Sequence, residues 1–261
     1  MTVIRSTDNP RFKALLKLVQ SSRERSRAGL SVLDGAYLVA AYRDRVGIPE
    51  ELVVSATGRD DAAIRTIVAR VSPLEPLVLA DALFARLSSV VTPTGIIGVV
   101  KTPRPDPAPP LTGPCLMIED LQDPGNLGSI LRSAAAAAIP HVLLSKDSVQ
   151  AWSPRVLRAA MGAHFLLRIH EGIDLEMAAR AFEGRIIATA LRARRTVFQE
   201  DLRGPVALVF GNEGGGISER LLGAAHAVVA IPMPGSTESL NVAAAAAVCL
   251  FERVRQLQTG D

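Results

Sequence analysis

Six apolar runs in the second half of the chain constrain the fold more than any other feature. They are CLMIE (115–119), HVLLS (141–145), HFLLRI (164–169), RIIATA (185–190), PVALVFG (205–211) and AVVAIP (227–232). A strand with one wet face alternates apolar and polar residues; these runs do not, so both of their faces must be covered. Helical stretches expected over 126–138, 154–161, 174–183, 217–223 and 239–257 lie between most of them. Strands alternating with helices build a parallel sheet with helices on both faces, so the expected class is α/β. The second half of 126–138 is almost pure alanine, which suits a close-packing helix.

Upstream, TPRPDPAPPLTGP (102–114) carries six prolines and a glycine. Proline fixes φ and removes backbone donors, so this stretch continues neither a helix nor a central strand. It reads as a linker between a first domain over 1–101 and a second over 115–261. Within the first, periodicity predicts helices over 10–27, 35–45 and 60–70 and strands over 30–33, 51–55, 76–80 and 95–100, a smaller α/β unit.

At 48% apolar and 21% charged residues the composition is that of a globular protein, with no apolar run of the roughly 18–20 residues a membrane span needs. The amino-terminal segment has charges spread through it and no compact apolar stretch before a cleavage site, so no secretory signal is expected and a cytoplasmic location is. Cys115 and Cys249 lie in apolar contexts far from any metal-type spacing, and are expected to be small buried hydrophobes. His141, His164, His170 and His226 are scattered, so no metal site is expected. Up to residue 30, Arg5, Arg11, Lys13, Lys17, Arg23, Arg25 and Arg27 stand against Asp8 and Glu24. Such a cluster suits a nucleic-acid partner, and equally the solvated face of an amphipathic helix.

Three turns carry the chemistry. In DPGNLGSILRS (123–133), Pro124 and Gly125 end a strand and Asn126 is placed to cap the following helix, with Arg132 less than two turns further on; cap and surface cation are the plain alternatives. The Lys-Ser/Thr ending of a phosphate-binding P-loop is missing, which argues against an NTPase. In VFGNEGGGIS (209–218), Gly211 and Gly214 to Gly216 clear side chains beside a strand end, leaving Asn212 and Glu213 as polar contacts; a flexible turn with Ser218 capping the next helix is the other reading. In IPMPGSTESLNVAAAAAV (231–248), prolines and a glycine force a bend before Ser239 and Asn241 at a helix start, where one cap accounts for one of the two. Backbone N–H groups at such turns face ligands, so a pocket is expected.

Taken together, in this order, the motifs resemble those of the SpoU (TrmH) family of RNA ribose 2'-O-methyltransferases, over nearly all of 115–257 and including SPRVLRAAMGAHFLLRI (153–169). The amino-terminal region resembles, less specifically, the L30e-like substrate-binding domain of many members. The resemblance implies a SPOUT-type parallel-sheet domain with a carboxyl-terminal trefoil knot, S-adenosylmethionine as cofactor and a homodimer. It implies that cofactor is held by Thr189 and Ala190, by Phe210, Gly211, Asn212 and Gly214, by Ile231, Pro232 and Met233, and by Ser239, Leu240 and Asn241. Arg132 is the implied catalytic residue, with Asn126, Glu213, Ser239 and Asn241 arranging the site.

The implied substrate is structured RNA, ribosomal rather than transfer RNA. Arg155, Arg158, Arg192, Arg194 and Arg195 are phosphate candidates, and Trp152 either stacks on a base or packs. With 4% aromatic residues, recognition by shape and backbone is expected rather than a stacking platform. Two other classes compete: a non-catalytic RNA-binding protein on the same scaffold, and a nucleotide-dependent enzyme whose glycine turns hold phosphates.

Overall fold

The computed structural model describes residues 2–88, 90, 92–105 and 112–259. Contacts divide the chain into two units, Met1–Pro103 with Trp152–Phe165, and Arg104–Ala151 with Leu166–Asp261. The centre of the proline-rich stretch, 106–111, lies outside the described residues.

The first unit runs α1 (Pro10–Gln20), α2 (Ser22–Ala28), β1 (Leu30–Asp34), α3 (Ala36–Arg45), β2 (Glu51–Ser55), α4 (Ala62–Arg70), β3 (Leu77–Leu79), α5 (Asp81–Ala85) and β4 (Ile96–Lys101). Its sheet has the order β1-β4-β2-β3, with β4 antiparallel to both neighbours and β2 parallel to β3. Phe12 and Leu15 of α1 pack with Val32, Val53, Leu79, Phe84 and Ile97 in one core. The single helix expected over 10–27 is two helices, because Ser21 adopts an extended conformation, ends α1, and caps α2 by accepting from the Glu24 N–H at 3.2 Å.

That break changes what the amino-terminal cations do. Arg25 is 8% exposed, and its guanidinium donates to the carbonyls of Leu18 and Val19 at 2.9 and 3.1 Å, satisfying the frayed end of α1. Arg11 pairs with Glu51, Lys13 with Asp8 and Arg27 with Glu24. Arg5, Lys17 and Arg23 form no ion pair among the described residues.

The second unit begins with β5 (Cys115–Ile118), α6 (Pro124–Ala136) and β6 (His141–Ser145). The intervening α7 (Pro154–Ala160) clusters with the first unit, where it packs on β1. Trp152 packs rather than presents a stacking face: it is 7% exposed, with ring centroids 4.9 Å from His164 and 6.5 Å from Phe165. The run HFLLRI is not one strand. Met161 and Gly162 turn left-handed after α7 (φ 48° and 79°), Ala163–Leu166 forms a 3-10 turn, and the strand starts only where Arg168 pairs with His141.

The second unit continues with β7 (Arg168–Ile173), α8 (Leu175–Ala181), β8 (Arg185–Thr189), β9 (Arg195–Thr196), β10 (Val206–Phe210), α9 (Glu219–Gly223), β11 (Ala227–Ala230) and α10 (Val242–Gln258). Its seven strands lie in the order β7-β6-β5-β10-β8-β11-β9, every pairing parallel. β5 and β10 are buried at every position, as non-alternating runs require. α10 packs on the alanine-rich α6 and on β10. Cys115 and Cys249 are buried here, and burial pushes both thiols up to about 12, which keeps them unreactive. His141 and His170, far apart in sequence, meet across β6 and β7 with ring nitrogens 3.2 Å apart; burial holds both below their ordinary value. Among the described residues no helix is long and apolar enough to cross a membrane.

Between β9 and β10 a buried carboxylate anchors the carboxyl-terminal helix. Glu200 is 3% exposed and pairs with Arg185 and Arg195, each at 2.6 Å, while its carbonyl accepts from Gln256 of α10 at 2.9 Å. Burial pushes the carboxyl up, but the hydrogen bonds and charges of the two arginines outweigh it and hold it below 4.5. A depressed carboxyl adds stability that is complete above its unfolded value and disappears as pH falls through the folded one. Both guanidiniums reach water, so Glu200→Gln should cost about 2 kcal/mol near pH 7, less than the roughly 3–5 of a fully buried pair. Chemical denaturation at pH 7 and pH 3.5 checks this: the deficit should shrink at the lower pH, and a constant deficit would remove the ionic contribution.

Candidate active site

The carboxyl ends of β5, β8, β10 and β11 each give way to an irregular turn, the place where open parallel sheets bind ligands. Asp123, not Asn126, caps α6, its Oδ1 accepting from the Asn126 N–H at 2.7 Å with Pro124 in the first turn. Asn126 therefore sits inside the helix, its side chain free for distant partners. Its Nδ2 donates to Glu213 Oε1 at 3.1 Å, and its Oδ1 accepts from Asn241 Nδ2 at 2.9 Å. Glu213 accepts in addition from the N–H groups of Asp123 (3.1 Å) and Gln122 (3.3 Å). Burial alone pushes its carboxyl up, but the Asn126 amide and these backbone donors together hold it below 4.5, so it is an ionised acceptor at neutral pH.

Asn241 caps α10 by accepting from the N–H groups of Ala243 (2.9 Å) and Ala244 (3.4 Å). One chain of amides thus links the starts of α6 and α10 to the glycine turn. Ser239 and Asn241 are exposed rather than buried, and Ser239 makes no hydrogen bond among the described residues.

The glycine turn is rigid. Asn212 and Gly216 exchange two backbone hydrogen bonds at 2.9 and 3.0 Å, and Asn212 Oδ1 accepts from the N–H groups of Gly214 and Gly215 at 2.8 and 2.9 Å. Asn212 Nδ2 donates to the carbonyl of Asp120 at 2.8 Å, so its amide holds the turn together. A Cβ on Gly211 would lie 2.1 Å from the Gly216 carbonyl oxygen, so only glycine fits. Asp120, which sequence reasoning passed over, is in the left-handed region at φ 51°, its carboxylate accepting from Ser145 Oγ at 2.6 Å. Ser218 caps α9 as expected, and also donates to Glu119 Oε1 at 2.7 Å.

The turns after β8, β10 and β11 line a cavity of about 330 Å³, within the range of small-molecule sites. Of the residues nominated from the sequence, Thr189, Ala190, Phe210, Gly211, Asn212, Glu213, Gly214, Ile231, Met233, Ser239, Leu240 and Asn241 line it. Pro232, Asn126 and Arg132 do not; Asn126 acts through Glu213 and Asn241. Gly216 of the glycine turn lines it too, and Leu191, Ile217, Glu238, Val242 and Ala245 do so without having been singled out, though Glu238 stands directly before Ser239 in the third motif. Two carboxylates, Glu213 and Glu238, face the cavity, and none of its described lining residues is Lys, Arg or His.

Arg132 is exposed and makes no hydrogen bond or ion pair among the described residues. Six residues of α-helix carry it about 9 Å along α6 and about a third of a turn around from Asn126. Arg195 is held by Glu200, while Arg192 and Arg194 are exposed. Arg155 and Arg158 lie on α7 of the first unit, Arg155 exposed and Arg158 half-buried. Among the described residues no group of three His, Cys, Asp or Glu side chains is arranged for a metal ion.

The profile of the SpoU rRNA Methylase family matches residues 114–251. An uncharacterised tRNA/rRNA methyltransferase of Synechocystis is 33% identical over 97% of this chain and 93% of its own. The 23S rRNA (guanosine(2553)-2'-O)-methyltransferase RlmP of Bacillus subtilis is 29% identical over 96% of this chain and 98% of its own. The crystal structure of the SpoU methyltransferase AviRb from Streptomyces viridochromogenes, in complex with AdoMet, superposes with a TM-score of 0.85 at 26% identity, covering 97% of this chain and 100% of that one. With cavity, turns and profile in agreement, the chain belongs to the SpoU rRNA methylase family.

Gly211 and Gly215 provide a matched test of the turn. Gly211→Ala forces backbone apart and should destabilise by about 3 kcal/mol or more. Gly215→Ala, whose Cβ would meet only Asn212 Oδ1 at 3.7 Å, should stay within about 0.5 kcal/mol. Equal melting temperatures for the two variants would contradict the close approach at Gly211.

Proposed function

We propose that the protein is an S-adenosylmethionine-dependent RNA 2'-O-ribose methyltransferase acting on structured ribosomal RNA. The observation that carries this reading is the cavity itself: the turns after β8, β10 and β11 converge on it, its lining combines apolar residues with the neutral polar Thr189, Asn212, Ser239 and Asn241 and the acidic Glu213 and Glu238, and no described lining residue is cationic. That lining suits an adenosine joined to a cationic sulfonium. It offers none of the cationic side chains that commonly hold the phosphates of ATP or NAD, which weighs against the nucleotide-dependent reading. The AdoMet in the complex of AviRb and the substrate in the name of the Bacillus relative support the same choice of cofactor and RNA.

In this reading the cofactor is held by the turns at Thr189–Leu191, Phe210–Gly214, Ile231–Met233 and Ser239–Asn241. When bound it supplies an electrophilic methyl group, and the protein must align a ribose hydroxyl with it. Arg132 stays protonated, so its role is to orient the hydroxyl and its adjacent phosphate. Asn126 fixes Glu213 and Asn241, which hold two turns in register. The first unit, with Arg5, Lys17 and Arg23 unpaired, grips RNA backbone. A homodimer is part of the proposal, supported by the exposed Phe251 and Leu257 on α10. So are a trefoil knot in the second unit, supported by β10 lying between β5 and β8 although it follows β9 in sequence, and a cytoplasmic location.

Methyl transfer to ribosomal RNA from cells lacking the gene, measured beside calorimetric binding of S-adenosylmethionine, tests the proposal. Arg132→Ala should lower turnover by about 100-fold or more with cofactor affinity within about twofold of the parent. Leu240→Trp, at a lining position 39% exposed, should instead weaken cofactor binding by about tenfold. Unchanged turnover in the arginine variant would refute its role, and RNA binding without any cofactor binding would favour a non-catalytic module.

A further inference from the structure

We propose that Glu238 is a specificity-determining residue that distinguishes the cationic methyl donor from its neutral thioether product. The inference rests on the cofactor reading above. Both carboxylates facing the cavity are charged groups, but their situations differ. Glu213 is saturated by the Asn126 amide and the N–H groups of Asp123 and Gln122. Glu238 accepts no hydrogen bond and forms no ion pair among the described residues, and no described cation lines the cavity to neutralise it. Its negative charge is therefore offset by no described cationic side chain of the lining.

Such a field discriminates by charge alone. S-adenosylmethionine carries a sulfonium that S-adenosylhomocysteine lacks, while adenosine, ammonium and carboxylate are common to both. A carboxylate facing the sulfur end favours the donor and leaves the product indifferent, which opposes product inhibition. A carboxylate gripping the shared ammonium would strengthen both equally. The residue stands in the irregular segment between β11 and α10, directly before Ser239, so no element depends on its side chain for its fold.

The test is calorimetry on the full chain with three probes: S-adenosylmethionine, S-adenosylhomocysteine, and sinefungin, whose ammonium replaces the sulfonium. Because Glu238 is exposed and screened, Glu238→Gln should weaken the two cationic probes by about fivefold and leave S-adenosylhomocysteine within about twofold. Glu238→Asp should recover most of the loss, and added salt should narrow the parent protein's preference for the donor. Equal weakening of all three probes, or no weakening of any, overturns the assignment. If the parent protein binds none of them, the cofactor reading fails first and this inference falls with it.

Discussion

Asn126 commits neither end of its amide to its own helix, and the site is built on that freedom. Because Asp123 takes the capping position, the Asn126 side chain reaches Glu213, 87 residues on, and Asn241, 115 residues on. A neutral amide donates through its nitrogen and accepts through its oxygen, and here it joins an acceptor-only carboxylate to a second amide. Asn241 in turn has its oxygen occupied by the first N–H groups of α10, so only its nitrogen is free to face Asn126. The direction of every bond in the chain is thereby fixed. An aspartate in place of either asparagine would set acceptor against acceptor, and the polar contacts that hold the three turns together would oppose one another.

The glycine turn shows the same economy at the backbone. Asn212 closes it twice, through its own N–H and carbonyl with Gly216 and through its side chain to Gly214 and Gly215. Its remaining nitrogen reaches the carbonyl of Asp120, so the ends of β5 and β10 are latched by one residue. Asp120 accepts a left-handed backbone to present that carbonyl, and Ser145 on β6 holds its carboxylate. A non-glycine residue in that region is uncommon, and it persists where surrounding bonds over-determine it. Rigid walls follow, and a rigid cavity loses less entropy when a ligand enters.

The parallel sheet was legible because burial on both faces removes alternation, and short non-alternating runs such as 115–119 and 205–211, set between helical stretches, fit strands covered on both sides. The cavity was legible because turns rich in glycine, proline and asparagine were expected at the carboxyl ends of strands in one parallel sheet, where open sheets bind ligands, and twelve of the nominated residues line it. What escaped was decided by three-dimensional competition between equivalent groups. Asp123 and Asn126 are both good caps, and only the helix start tells them apart. Arg23 and Arg25 are one side chain in two fates, set by the break at Ser21 that brings Arg25 against the end of α1. The apolar run at 164–169 has no periodicity that separates a 3-10 turn from a strand, and β9 is two polar residues with no apolar signal at all.

Charge is segregated in this chain in a way that net charge hides. The total is +3, yet no described cation lines the cavity, while Arg5, Lys17, Arg23, Arg132, Arg192 and Arg194 stand without ion pairs among the described residues. A polyanion is drawn to the latter group and repelled by Glu213 and Glu238. On the proposed reading an acidic lining disfavours phosphate in the cavity, whereas a neutral hydroxyl meets no such repulsion. On the proposed reaction that is the group to be modified. On the proposed reading, the Glu238 charge that disfavours phosphate also favours a cationic donor, so one sign of charge in the cavity serves the choice of cofactor and the exclusion of phosphate together.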